Sequence, residues 1–279
     1  MGKDMGKGKG DKKGDGKPKV LKLCDVTDLC GFCSAGSCKF KCAKCHLVSY
    51  CSDQCQFRDI TKHQPHCKSL EEQAHHRALN EAFLRACGTG ILRLVKTMLD
   101  ERGADANYID TDQCTPLMAA SVGGHVPVVE ALIAADSRVE YARRKDGFTA
   151  IFAACERGHV DVVRILLRAG ADPNQAFTNE NAYSPLMQSS GSGFVQIVDE
   201  LISAGANVNY AAPYDGYTSL MSAAVKGFVD VVRSLLAAGA DPRTASHIGH
   251  TALDAALLFN HPAITALLKT KIAELSGST

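Results

Sequence analysis

Four pairs of metal-ligating side chains stand at chelate spacing between residues 30 and 67: Cys30-x2-Cys33, Cys42-x2-Cys45, Cys51-x3-Cys55 and His63-x3-Cys67. Two or three intervening residues let both members of a pair reach one ion. Zinc takes four such ligands, with Zn–S near ~2.3 Å and Zn–N near ~2.0 Å. Eight ligands therefore make two zinc sites filled entirely by protein, with no position left for water or substrate. That is the arrangement of structural rather than catalytic zinc. Spacing alone leaves open whether the pairs combine in sequence or interleave. So short a segment cannot build an adequate apolar core, so metal binding is expected to supply most of its folding free energy.

The residues around these ligands add detail. Lys39, Lys41, Lys44, Arg58, Lys62 and Lys68 crowd the segment. Thiolates outnumber the charge of each zinc, and nearby cations offset that excess. No aromatic residues interleave with them as a base-stacking surface would require. His46 and His66 each adjoin a ligand cysteine and are expected at the surface. The order of pairs, together with Tyr50-Cys51-Ser52 and Cys55-Gln56, resembles the MYND-type zinc finger. The resemblance implies interleaving, with Cys30, Cys33, Cys51 and Cys55 on one zinc and Cys42, Cys45, His63 and Cys67 on the other. It also implies docking of short proline-containing peptides. The chain departs from the family at Ile60, where Trp is usual, and at Gln64, where Lys is usual. The first change removes the indole that anchors an extended peptide.

These sites sit in a chain of 279 residues with a formal net charge of +1, which gives no global field towards nucleic acid or membrane. Residues 1–23 are a Lys- and Gly-rich arm too poor in apolar side chains to order itself. Residues 24–67 form the expected finger. Residues 68–79, KSLEEQAHHRAL, have no Gly or Pro and favour a helical linker. The first residues contain no apolar stretch resembling a signal peptide, and no apolar run approaches the ~20 residues of a membrane span. Of twelve cysteines, Cys24, Cys38, Cys87, Cys114 and Cys155 stand outside the metal pairs and show no pairing pattern. An intracellular protein, cytoplasmic or nuclear, in a reducing compartment is expected.

Self-comparison organises the remainder. Thr115-Pro-Leu-Met, Thr149-Ala-Ile-Phe, Ser184-Pro-Leu-Met, Thr218-Ser-Leu-Met and Thr251-Ala-Leu-Asp recur at intervals of 34, 35, 34 and 33 residues. A second landmark follows each: Gly124-His125, Gly158-His159, Gly193-Phe194, Gly227-Phe228 and Asn260-His261. Thr or Ser caps a first helix, apolar residues at i, i+3 and i+4 build a second, and Gly-Ala-Asp or Gly-Ala-Asn ends it. Asp146-Gly147 and Asp215-Gly216 mark turns between units. This pattern resembles the ankyrin repeat over residues 80–275, leaving a tail at 276–279. The resemblance implies five helix–turn–helix units and a degenerate opening unit from Asn80 to Asn107. The fold class is therefore mainly α, an ankyrin-repeat α-solenoid behind a small two-zinc finger.

Within that frame, Met118, Phe152, Met187 and Met221 are expected to fill the core between units, and Cys114 and Cys155 to act as small apolar fillers. The run Ser189-Ser190-Gly191-Ser192-Gly193 lowers helix propensity and predicts a soft spot, read as tolerated variation rather than as an adaptable contact. The last helix, Ile264 to Leu275, is expected to cap the stack. Tyr108, Tyr183, Tyr210, Tyr214 and Tyr217 lie at or beside turns between units, with Arg144 on one tip. Tyr and Arg are enriched at binding hot spots, so these six residues are the expected partner-binding set. The resemblance adds that ankyrin arrays bind proteins through such turns and the concave face. No nucleotide-binding or hydrolase motif is present, so catalysis is not expected. The reading is an intracellular adaptor binding protein partners and two structural zinc ions. A transcriptional or nucleic-acid-associated regulator using the arm and finger is the alternative.

Overall fold

The computed structural model describes residues 40–41, 49–50, 70–178 and 182–277. The eight expected zinc ligands, Cys30, Cys33, Cys42, Cys45, Cys51, Cys55, His63 and Cys67, lie outside the described residues, as does the Lys-rich arm. The chain divides into two compact units, Met1–Arg77 and Ala78–Thr279. In the first, β1 (Phe40–Lys41) pairs antiparallel with β2 (Ser49–Tyr50), Phe40 opposite Tyr50 and Lys41 opposite Ser49. This short ladder encloses in sequence the stretch that holds the Cys42/Cys45 pair.

The second unit is a row of helix pairs. Helix α1 (Leu70–Thr89) enters it and turns through Gly90 into α2 (Leu92–Asp100). The following pairs are α3 (Pro116–Gly123) with α4 (Val126–Ala134), and α5 (Ala150–Arg157) with α6 (Val160–Arg168). Next come α7 (Pro185–Ser192) with α8 (Val195–Ser203), and α9 (Ser219–Lys226) with α10 (Val229–Ala237). The row ends with α11 (Ala252–Leu258) and α12 (Pro262–Gly277). Helices α3, α5, α7, α9 and α11 pack one on the next, and α2, α4, α6, α8, α10 and α12 form a second layer beside them.

Local chemistry sets each element. The hydroxyls of Thr115, Thr149, Ser184, Thr218 and Thr251 each accept the backbone N–H three residues on, at 3.2 to 3.3 Å. Each such cap is worth about 1 kcal/mol. Pro116 and Pro185 open their helices, where no amide partner is lost. In the second layer Val128, Val129 and Leu132 are buried, as are Val162, Val163 and Leu166, then Ile197, Val198 and Leu201, then Val231, Val232 and Leu235. Truncating one such leucine to alanine costs about 2–5 kcal/mol, so these rows carry the stacking. Met118, Phe152, Met187 and Met221 fill the core as expected, each 2% exposed.

Ser189 and Ser190 are fully buried within a regular α7, so they offer no contact surface. Packing outweighs the low helix propensity of that serine run. Cys155 is a buried filler, but Cys114 is only half-buried and sits 3.8 Å from Nη1 of Arg143. Helix α12 buries Ile264 and Leu268, yet α11 leaves Leu257, Leu258 and Phe259 exposed by half or more. Capping by the last helix is therefore partial.

Two sets of polar contacts tie neighbouring units. Asn107 Nδ2 donates to Asp136 O, Asn174 Nδ2 to Gly205 O, and Asn209 Nδ2 to Gly239 O, at 3.0 to 3.2 Å. Their Oδ1 atoms accept from Arg138, Asn207 and Asp241 N at 2.7 to 2.8 Å. The second set is the row of rings His125, His159, Phe194, Phe228 and His261, each lying over a glycine of the unit before. A β-carbon on Gly124 would meet the His159 ring at 2.5 Å, and one on Gly193 the Phe228 ring at 2.6 Å. Both glycines are left-handed, φ 69° and 78°. The last unit carries Asn260 at this position, φ 56°.

Candidate functional site

The turns between units form one edge of the second unit. Each is a narrow loop closed by backbone pairing, such as Arg143 N to Phe148 O at 2.9 Å and Ala212 N to Tyr217 O at 2.8 Å. Neighbouring loops are also bonded to each other: Thr178 N donates to Asp146 O, and His247 N to Asp215 O, both at 2.8 Å. Gly147 and Gly216 permit this approach, since a β-carbon on either would stand 2.9 Å from the neighbouring backbone nitrogen.

The loop from Arg143 to Phe148 is internally fixed. Arg143 Nε donates to Asp146 Oδ1 at 2.8 Å, and the guanidinium lies 4.8 Å over the Phe148 ring. Phe148, Phe152 and Phe177 pack together, with 4.0 Å between the centroids of the last two. The Arg143 hydrogen bond holds the Asp146 carboxyl below the usual carboxylate range. Arg144, the residue expected to contact a partner, is exposed, while its backbone N–H is held by Gln113 Oε1 at 2.8 Å.

The expected tyrosines divide into two groups. Tyr108, Tyr183, Tyr210 and Tyr217 are half-buried. Tyr210 donates its hydroxyl to Ala182 O at 2.8 Å. Burial first, then Asp215, pushes the Tyr183 phenol above its ordinary value. Burial, then Tyr183 and Asp215, does the same to Tyr217. The last two therefore sit together against the Asp215 loop as a packing seam. Tyr214 differs: 70% of it is exposed.

Tyr214 forms one wall of a groove of about 710 Å³ between the last two turns. Tyr217, Ile248, Leu258 and Phe259 supply its apolar surface, and Asp215 and Asp254 its carboxylates. Ile248 is 78% exposed and Leu258 73%. Sequence reasoning missed Ile248, Leu258, Phe259 and Asp254. The signal lay in the repeat register. Asp254 stands where the other units bury Met or Phe, and Phe259 stands where α5 and α9 end on Arg157 and Lys226. Among the described residues no cluster of His, Cys, Asp and Glu could hold a metal ion, and no helix is long and apolar enough to cross a membrane.

The repeated caps, rings and asparagine ties agree with comparison by sequence. The family profile for ankyrin repeats (three copies) matches residues 83–177 and 186–276. The chain belongs to the ankyrin-repeat family. Its ankyrin array is similar to ankyrin repeat and KH domain-containing protein mask-1 of Caenorhabditis elegans, 33% identical over 108 residues, covering 39% of this chain and 4% of that protein. It is similar to ankyrin repeat and SAM domain-containing protein 6 of Mus musculus, 35% identical over 129 residues, 46% of this chain and 14% of the relative. Human ankyrin repeat and SOCS box protein 3 is 30% identical over 109 residues, 36% of this chain and 21% of the relative. The chain thus spans a minor part of each relative's length.

Proposed function

We propose that the protein is a non-catalytic intracellular adaptor. The ankyrin array supplies the recognition surface, and the Cys30–Cys67 segment supplies a second module built on two structural zinc ions. The observation that carries the first part is the exposure of Tyr214, Ile248 and Leu258 together on the edge of an array whose core is otherwise filled. A contiguous apolar patch on a soluble surface marks an interaction site. Family membership supports protein partners in general. The names of these relatives each join ankyrin repeats to another module, a KH domain, a SAM domain or a SOCS box. The zinc module supported by the four ligand pairs gives this chain the same kind of composition.

The first test is affinity capture with the full chain and with Tyr214→Ser. Partner capture falls in the variant while the melting temperature holds, because Tyr214 packs on little of the array. Capture undiminished in Tyr214→Ser would remove this edge from the reading. The second is native mass spectrometry of the full chain, with two zinc ions per molecule expected. One ion or none would remove the zinc module.

A further inference from the structure

The groove at the last two turns has a chemistry opposite to that of the Arg143–Lys145 loop. Two carboxylates, Asp215 and Asp254, stand in its lining, and among the described residues no Lys or Arg lines it. Asp254 accepts from the Thr251 backbone N–H at 2.8 Å and from its hydroxyl at 2.7 Å, which keeps the carboxyl ionised. Asp215 Oδ1 accepts from Tyr217 N at 2.9 Å, which fixes its side chain at the groove wall. The imidazoles of His247 and His250 complete the polar lining. Around these groups stand four of the largest exposed apolar surfaces of the array: Tyr214 70%, Ile248 78%, Leu258 73% and Phe259 51%.

The end of the stack indicates what does not occupy this region. Six residues past the helix cap, Ser121, Cys155, Ser190 and Ala224 are fully buried under the next unit, whereas the last unit has Leu257 at 53% exposure. Asn260 replaces the glycine that a following ring would cover. Both changes put side-chain volume where a further repeat would stack. A partner therefore enters along the turns and α11 rather than as another helix pair.

We propose that this groove binds an extended segment of another protein that combines apolar side chains with a lysine or arginine. The apolar residues bury against Ile248, Leu258 and Phe259, and the cation pairs with Asp215 and Asp254 beside the faces of Tyr214 and Tyr217. The volume of about 710 Å³ accommodates a few side chains. This deepens the adaptor reading and rests on it.

The test selects random peptides displayed on phage against the full zinc-loaded chain, then measures the enriched peptides by fluorescence anisotropy. Enriched sequences are expected to place Lys or Arg among apolar residues. Asp215→Asn, which keeps the oxygen that accepts from Tyr217 N, and Leu258→Ser each weaken them by about tenfold or more. Lys96→Gln, at an exposed cation on α2, leaves them unchanged. Unaltered melting temperatures confirm that the variants fold. Enrichment of acidic or uncharged sequences, no enrichment, or binding indifferent to both variants overturns the proposal. So does a concentration-dependent dimer of the chain that Leu258→Ser abolishes, since the occupant would then be a second copy. Affinity capture separates the two readings. Partners still captured by Asp215→Asn and Leu258→Ser sink the groove but leave the adaptor, whereas the wild-type chain capturing none sinks the adaptor itself.

Discussion

Nε2 of His159 lies 3.0 Å from the carbonyl oxygen of Val122 in the unit before it, and the same ring covers Gly124. Val122 is in the last turn of α3, where helix carbonyls have no partner within the helix. The imidazole therefore ends one helix while starting the next layer's. His125 repeats the contact to Gly88 O and His261 to Val225 O, at 3.0 and 3.1 Å. Phe194 and Phe228 cover their glycines without a polar atom to donate. His159→Ala should cost about 1–2 kcal/mol, one hydrogen bond plus lost packing. His159→Phe should cost less, because a phenyl ring already serves in two units. Urea unfolding followed by circular dichroism distinguishes them, and equal losses would assign the whole effect to the hydrogen bond and none to covering of the glycine.

How much of this was legible in the sequence depended on whether a residue acts within its own unit. Thr115, Thr149, Ser184, Thr218 and Thr251 cap locally, so their spacing sufficed. The glycine-ring pairs were visible as landmarks, but their purpose was not, because the ring's partner lies a whole unit away. The groove at Ile248 and Leu258 was hidden for a related reason. Leu257 and Leu258 read as ordinary apolar helix residues, and only the fold shows Leu257 exposed where Ser121, Cys155, Ser190 and Ala224 are buried. The tyrosines were visible by placement, yet only burial separates Tyr214 from the seam of Tyr183 and Tyr217.

The asparagine tie has one gap. Asn107, Asn174 and Asn209 bridge successive units, while the register position between Asn107 and Asn174 carries Glu140 beside Gly170, in a recess of about 670 Å³. A carboxylate cannot donate to the Gly170 carbonyl as an amide would. Glu140→Asn should restore the bridge and raise stability by about 0.5–1.5 kcal/mol. A thermal melt checks this, and an unchanged or lowered midpoint would show that the local backbone is set for glutamate.

Asp146 links the turn to pH. Its folded carboxyl is held low, chiefly by the Arg143 hydrogen bond. A depressed folded value contributes stability that is present above the unfolded carboxylate value, about 3.9. That contribution is lost as pH falls through the folded one. Asp146→Asn should therefore be less stable than wild type at neutral pH, with the gap closing under acid. Denaturant melts across that range test it. A gap constant with pH would mean that the loss comes from geometry rather than charge.

Ser190 offers a gain. Its hydroxyl is buried without a hydrogen-bond partner, as are those of Ser121 and Ser219. Two terms favour Ser190→Ala: relief of an unsatisfied buried oxygen, and higher helix propensity within α7. One opposes it, the small void left by the oxygen. Ala224 fills the equivalent position in α9 at 0% exposure, so the site accepts a methyl group. The net expectation is a gain of about 1 kcal/mol. Ser189→Ala is the contrast, because Ser189 Oγ donates to Pro185 O at 2.9 Å and that bond would be lost. Calorimetry on the pair decides the matter. If both substitutions stabilise equally, helix propensity accounts for the gain and the buried hydroxyl of Ser190 carries no penalty of its own.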